Sequence, residues 1–136
     1  MQKYKFDHIH LMSPDPEKTA EFYQKMFNAR MQEPVDLGQG RIMLSLDLGG
    51  VTVLISKTAD EKQYGLAHFG ISTPHLKEAV NELKAKNVKF PMEITKISPQ
   101  LTISFVDAPD NVRLELSESE NLTNPVRIRG LRNLRR

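Results

Sequence analysis

Phe6-Asp7-His8-Ile9-His10-Leu11 and Leu66-Ala67-His68-Phe69-Gly70-Ile71 lie sixty positions apart and read as copies of one another. The first leads into a proline-containing turn at Ser13 to Pro16 and a helical run ending near Phe27-Asn28. The second leads into a turn at Thr73-Pro74 and a helical run ending near Lys86-Asn87. A spacing that survives both a strand and a helix marks a duplicated supersecondary unit. His8 and His68, at the same point of each copy, are then expected to face one another across a pseudo-twofold axis.

Working outward from these stretches, residues 5 to 12 contain no Gly or Pro and read as a strand. Asp15 or Ser13 can cap the helix that follows, and Pro16 suits its first turn, where the missing N–H is not needed. From Glu17 to Phe27, Ala20, Tyr23 and Phe27, with Phe22 and Met26 beside them, predict one apolar face. Asn28 and Asn87 stand in register where each helix would stop in a left-handed residue. Between Arg41 and Ser56, strand, Gly49-Gly50, strand predicts a hairpin, and Leu101 to Leu116 repeats it around Asp107 to Asn111. Short strands near Gln32 to Leu37 and Lys89 to Ile94 complete a β-α-β-β-β order in each half, with Thr58 to Gly65 as linker.

Composition bounds the answer. At 136 residues, 39% hydrophobic and 26% charged, the chain suits a soluble globular protein. Residues 1–125 are expected to form one domain, with module one at about 5–57, module two at about 65–118, and a basic tail at 126–136. No apolar run approaches the ~18 residues that would span a bilayer, and the polar start lacks a secretory signal, so a cytoplasmic location without membrane association is expected. With no cysteine, a metal would have to be held by His and carboxylate groups. Five of the nineteen Lys and Arg residues fall in the last eleven positions, and the remainder of the chain carries 14 basic against 17 acidic residues. That balance speaks against nucleic-acid binding.

Several segments together resemble the vicinal oxygen chelate superfamily, which includes glyoxalase I, methylmalonyl-CoA epimerase, extradiol dioxygenases and the fosfomycin and bleomycin resistance proteins. They are Asp7-His8-Ile9, Pro14-Asp15, Phe22-Tyr23, Ala67-His68-Phe69 and the long stretch from Phe105 to Leu116. The last resembles the superfamily's Asp-Pro-Asp-Gly-Asn turn followed by a Glu-containing strand, although Asn111 follows Asp110 directly and the usual Gly is missing. The resemblance implies an α+β fold of two β-α-β-β-β modules whose curved mixed sheets form a metal-binding cleft. It implies a divalent metal (Fe, Mn, Ni, Co or Zn) on His8, His68 and Glu115. A fourth ligand, Glu or Gln in glyoxalases and the epimerase, corresponds here to Leu54, which cannot coordinate.

Two imidazoles and a carboxylate leave coordination positions open for a substrate that binds through two neighbouring oxygens. The expected function is therefore that of a metal-dependent enzyme, dioxygenase-like or lyase/isomerase-like, acting on a small molecule. The competing reading is a metal-free protein that sequesters a ligand, as bleomycin resistance members do. For each residue a plainer role also stands: His8 and His68 as core histidines, Glu115 on a solvent face. His10, two residues after His8 and on the same strand face, joins Glu115 as a candidate catalytic residue, as base, hydrogen-bond donor or support for a ligand. His75 reads as a surface residue at a helix start and Arg41 as a solvated rim residue. Tyr4, Phe69, Phe105 and the methionines read as core, and Gly38-Gln39-Gly40 is too weak a signal for a phosphate loop. A homodimer is expected from the open sheet edges.

Overall fold

The computed structural model describes residues 4–118; the Arg-rich segment 126–136 lies outside them. The first half runs β1 (Lys5–Ser13), α1 (Pro16–Phe27), β2 (Arg30–Gly38), β3 (Arg41–Leu48), β4 (Val51–Lys57). The second runs β5 (Gly65–Thr73), α2 (Leu76–Ala85), β6 (Met92–Ser98), β7 (Leu101–Asp107), β8 (Arg113–Glu118). All eight strands join one mixed sheet in the order β2-β3-β4-β1-β5-β8-β7-β6. Each half pairs its first and last strands in parallel, and β1 joins β5 antiparallel at the centre. The outermost strands β2 and β6 approach within 8 Å between Cα atoms, so the sheet curls into a half-barrel.

Local chemistry sets the helix ends. The Asp15 carboxylate accepts from the Lys18 backbone N–H at 3.2 Å, Pro16 fills the first turn, and Asn28 closes α1 with φ 60°. Asn87 takes the same left-handed backbone, φ 67°, just past α2. The hairpin turn at Gly49-Gly50 has φ of 62° and 98°, a conformation glycine adopts without steric cost.

Both helices cover the same side of the sheet. Ala20, Ala29, Leu46, Val53 and Ile55 form a cluster beneath α1; Leu76, Ala79, Val80, Val106 and Leu116 form one beneath α2. Each large aliphatic side chain so buried contributes about 1.5–3 kcal/mol. Because strand side chains alternate, Val53 and Ile55 facing α1 put Leu54 on the opposite, concave face. Leu114 and Leu116 facing α2 do the same for Glu115.

Two expectations shift. The apolar face of α1 is narrower than its composition suggests: Ala20 is buried and Tyr23 half-buried, but Phe22, Met26 and Phe27 are 51%, 62% and 59% exposed. The helix rests on the sheet through small residues, and the larger ones project outward or past its end. In the second half, the strand expected at Lys89 to Ile94 begins at Met92. Pro91 has no N–H for a ladder, and Val88 and Phe90 turn instead into the cluster under α2.

Candidate metal centre

Two irregularities in the β1–β5 ladder aim the histidines. Pairing runs Phe6↔Ile71 then His8↔Gly70, leaving Asp7 as an extra residue on β1; it runs His10↔His68 then Leu11↔Leu66, leaving Ala67 extra on β5. Asp7 and Ala67 are equivalent in the two repeats, so the bulges obey the pseudo-twofold. In an ideal strand Asp7 and His8 would point to opposite faces, but a bulge brings successive side chains together. The His8 Nδ1–H accordingly donates to Asp7 Oδ2 at 2.7 Å. That bond sets the tautomer and leaves the Nε2 lone pair free.

His8 is 3% exposed and its Nε2 has no hydrogen-bond partner. An orphaned buried acceptor is costly, about 1–3 kcal/mol, unless something binds it. The ring lies flat against Gly70: a Cβ there would stand 2.3 Å from His8 Cε1. Around Nε2 gather Glu115 Oε1 at 3.8 Å, and beyond it His68 Nε2, 3.1 Å from Glu115 Oε2, and His10 Nδ1, 3.3 Å from His68 Nε2. One donor atom from each of His8, His10, His68 and Glu115 lies within 4.8 Å of the other three. Ligands ~2.0–2.2 Å from a shared ion sit at most ~4.4 Å apart, so a contraction of a few tenths of an ångström suffices. The donor set thus fits a divalent transition metal.

The electrostatics agree. Burial, and then repulsion from His68 and His8, lower the His10 pKa from 6.5 to about 4 against the pull of Glu115, so the ring is neutral at physiological pH. Burial would raise the Glu115 carboxyl, but the hydrogen bond from His68 and the nearby imidazoles outweigh it, and its pKa is lowered. Neutral imidazole and ionised carboxylate are the forms that bind metals.

Of the residues singled out from the sequence, His8, His10, His68 and Glu115 converge. Leu54 borders them, buried beside its register partner His10. Arg41 is exposed and donates to the Leu37 carbonyl, and His75 is exposed at the start of α2. Phe105, expected in the core, instead lies on the concave face with its ring 5.2 Å from that of His68. Three residues of the site were not singled out: Asp7, which orients His8; Ser56, whose Oγ lies 2.7 Å from His10 Nε2; and Gly70. The repeat carries a signal for Gly70, since it stands where the first copy has His10. A cleft of about 350 Å³ opens beside His68, lined in part by Met12, Leu66, Lys62 and Tyr64.

The model of the glyoxalase/bleomycin resistance protein/dioxygenase superfamily matches residues 5–116. The chain belongs to that superfamily. Solved structures agree with a glyoxalase-like fold. A hypothetical protein from Bacillus halodurans C-125 superimposes with a TM-score of 0.75 at 19% identity, covering 90% of this chain and 99% of that one. Methylmalonyl-CoA epimerase from Mycobacterium tuberculosis gives 0.69 at 16% identity, covering 85% and 88%. A methylmalonyl-CoA epimerase in complex with methylmalonyl-CoA gives 0.66 at 21% identity, covering 91% and 100%. A search of curated proteins finds no match. Among the described residues of this superfamily member, no helix is long and apolar enough to cross a membrane.

Proposed function

We propose that this chain is a metal-dependent enzyme acting on a small substrate through two neighbouring oxygens, with dioxygenase-like or lyase/isomerase-like chemistry. The observation that carries the reading is the buried, unpartnered Nε2 of His8, converging with His68 Nε2 and the Glu115 carboxylate. His8, His68 and Glu115 would hold the ion, and a bound Fe, Mn, Ni, Co or Zn would supply Lewis-acid stabilisation of charge on substrate oxygen.

The protein's own part is positioning and exclusion of water. Asp7 fixes the His8 ring, Leu54 lies beside His10 and the Phe105 ring against His68, and Lys62 in the adjoining cleft offers a cation to an anionic substituent. His10, held neutral, is the imidazole placed either to take a substrate proton or to coordinate. The likeness to methylmalonyl-CoA epimerases supports enzymatic activity on a small molecule. A sequestering protein, by contrast, has no use for an orphaned buried imidazole aimed at a carboxylate.

Metal per chain, measured by elemental analysis after anaerobic reconstitution, tests the proposal. Wild type should hold about one ion, and His68→Ala should lose most of it. Wild type that takes up no divalent metal would overturn the enzyme reading in favour of sequestration; full occupancy in His68→Ala would show that the ligand set is wrong.

A further inference from the structure

We infer that this site has a fourth protein ligand on β1, His10 Nδ1, beside Leu54 of β4, which cannot coordinate. The inference rests on the metal-site reading above and deepens it. The pseudo-twofold between β1 and β5 exchanges His8 with His68 and His10 with Gly70. It also exchanges Leu54 with Glu115, since His10 pairs with Leu54 as Gly70 pairs with Glu115. In one half, then, the strand partner is a glycine that admits the His8 ring, and the carboxylate of Glu115 is the donor. In the other half the carboxylate position is a leucine, and the position equivalent to that glycine is a histidine. Each half thus offers one further donor at this pair of neighbouring places, Glu115 in one and His10 in the other.

The geometry of His10 is that of a ligand. Ser56 Oγ lies 2.7 Å from Nε2, engaging the ring on the side away from the cluster. If the Nε2–H donates there, the Nδ1 lone pair points inward, the same arrangement by which Asp7 prepares His8. Nδ1 stands 3.3 Å from His68 Nε2, and His10 belongs to the converging group of His8, His68 and Glu115. Two imidazole nitrogens at that distance, close to the ~3 Å edge spanned by cis ligands ~2.1 Å from one ion, are placed to share it.

The consequences are chemical. Three imidazoles and a carboxylate leave two positions on a six-coordinate ion, enough for two vicinal oxygens. The nitrogen-rich set favours Co, Ni, Cu or Zn over Mg or Mn. With His10 engaged, its imidazole is not free to shuttle a substrate proton, and that role falls to the second oxygen of the Glu115 carboxylate.

The test uses Co²⁺ on the full chain. In the paramagnetic NMR spectrum, each coordinating imidazole contributes one strongly shifted, exchangeable ring N–H signal. Three such signals in wild type and two in His10→Ala are expected, together with Co²⁺ affinity lowered more than about a hundredfold, beyond the 10–100-fold typical of an outer partner. Two signals in wild type would overturn the inference while leaving the metal site intact, as would unchanged affinity in His10→Ala. Absence of Co²⁺ binding by wild type would overturn the metal reading and this inference with it.

Discussion

Replacing Gly70 by alanine tests how the site is built. A Cβ at this position would stand 2.3 Å from His8 Cε1, 2.6 Å from Nδ1 and 2.9 Å from Nε2. Ordinary contacts between carbon atoms begin near ~3.5 Å, so the ring would have to retreat by about 1 Å. It is 3% exposed and tied to Asp7 at 2.7 Å, so retreat breaks that bond. Overpacking of this kind costs about 1–3 kcal/mol, and a lost hydrogen bond to a charged group about 1.5–3 kcal/mol. Against this, Gly70 does not adopt positive φ, so alanine is compatible with its backbone and restricts the unfolded chain, a gain of about 0.4–1 kcal/mol. The net expectation is a destabilisation of about 2–5 kcal/mol in urea denaturation of metal-free protein, with Co²⁺ binding weakened in parallel. A Gly70→Ala protein within about 0.5 kcal/mol of wild type and equal to it in Co²⁺ affinity would refute the packing argument.

Three further outcomes are expected. Asp7→Asn should keep the fold and lower metal affinity about 10–100-fold, as loss of a partner that orients a ligand does; isothermal titration reads this, and unchanged affinity would show the Asp7–His8 bond to be incidental. In metal-free protein the folded pKa of His10, about 4, lies below its unfolded value of 6.5. The unfolded chain therefore binds the extra proton between these values, and stability is full above about pH 6.5 and falls as pH drops toward 4. Urea midpoints should decline over that window and do so less in His10→Ala; a midpoint that rises on acidification would contradict this. Finally, light scattering at micromolar concentration should report a homodimer, with exposed Phe22, Met26 and Phe27 among the apolar surface a second copy can cover; a monomer would dismiss that expectation without touching the metal site.

Much of the architecture was legible because it rests on short-range chemistry. Asn28 and Asn87 stop the helices through their own tolerance of left-handed backbone, Asp15 and Pro16 start α1, and Gly49-Gly50 turns the hairpin. Alternation along each strand accounts for Leu54 and Glu115 facing away from the helices once the clusters beneath α1 and α2 are known. The repeat itself predicted that His8 and His68 would meet. The width of the α1 contact was not legible, since whether Phe22 and Met26 are covered depends on how closely Ala20 lets the helix approach the sheet.

What the sequence determined by itself is the duplicated unit and the places where its elements begin and end; through the family resemblance it also put forward two imidazoles and a carboxylate as candidate ligands. Only the tertiary structure decided which neighbours complete that set. The Asp7–His8 bond depends on a bulge, and a bulge is a property of the pairing between β1 and β5 rather than of either strand. The need for Gly70 arises because a ring from another strand lies on it, and the place of His10 beside His68 arises because the antiparallel register sets them opposite one another. Periodicity along a chain tells which face a side chain joins; its partners on that face are fixed by register between segments sixty residues apart, and that register is set when the whole sheet packs.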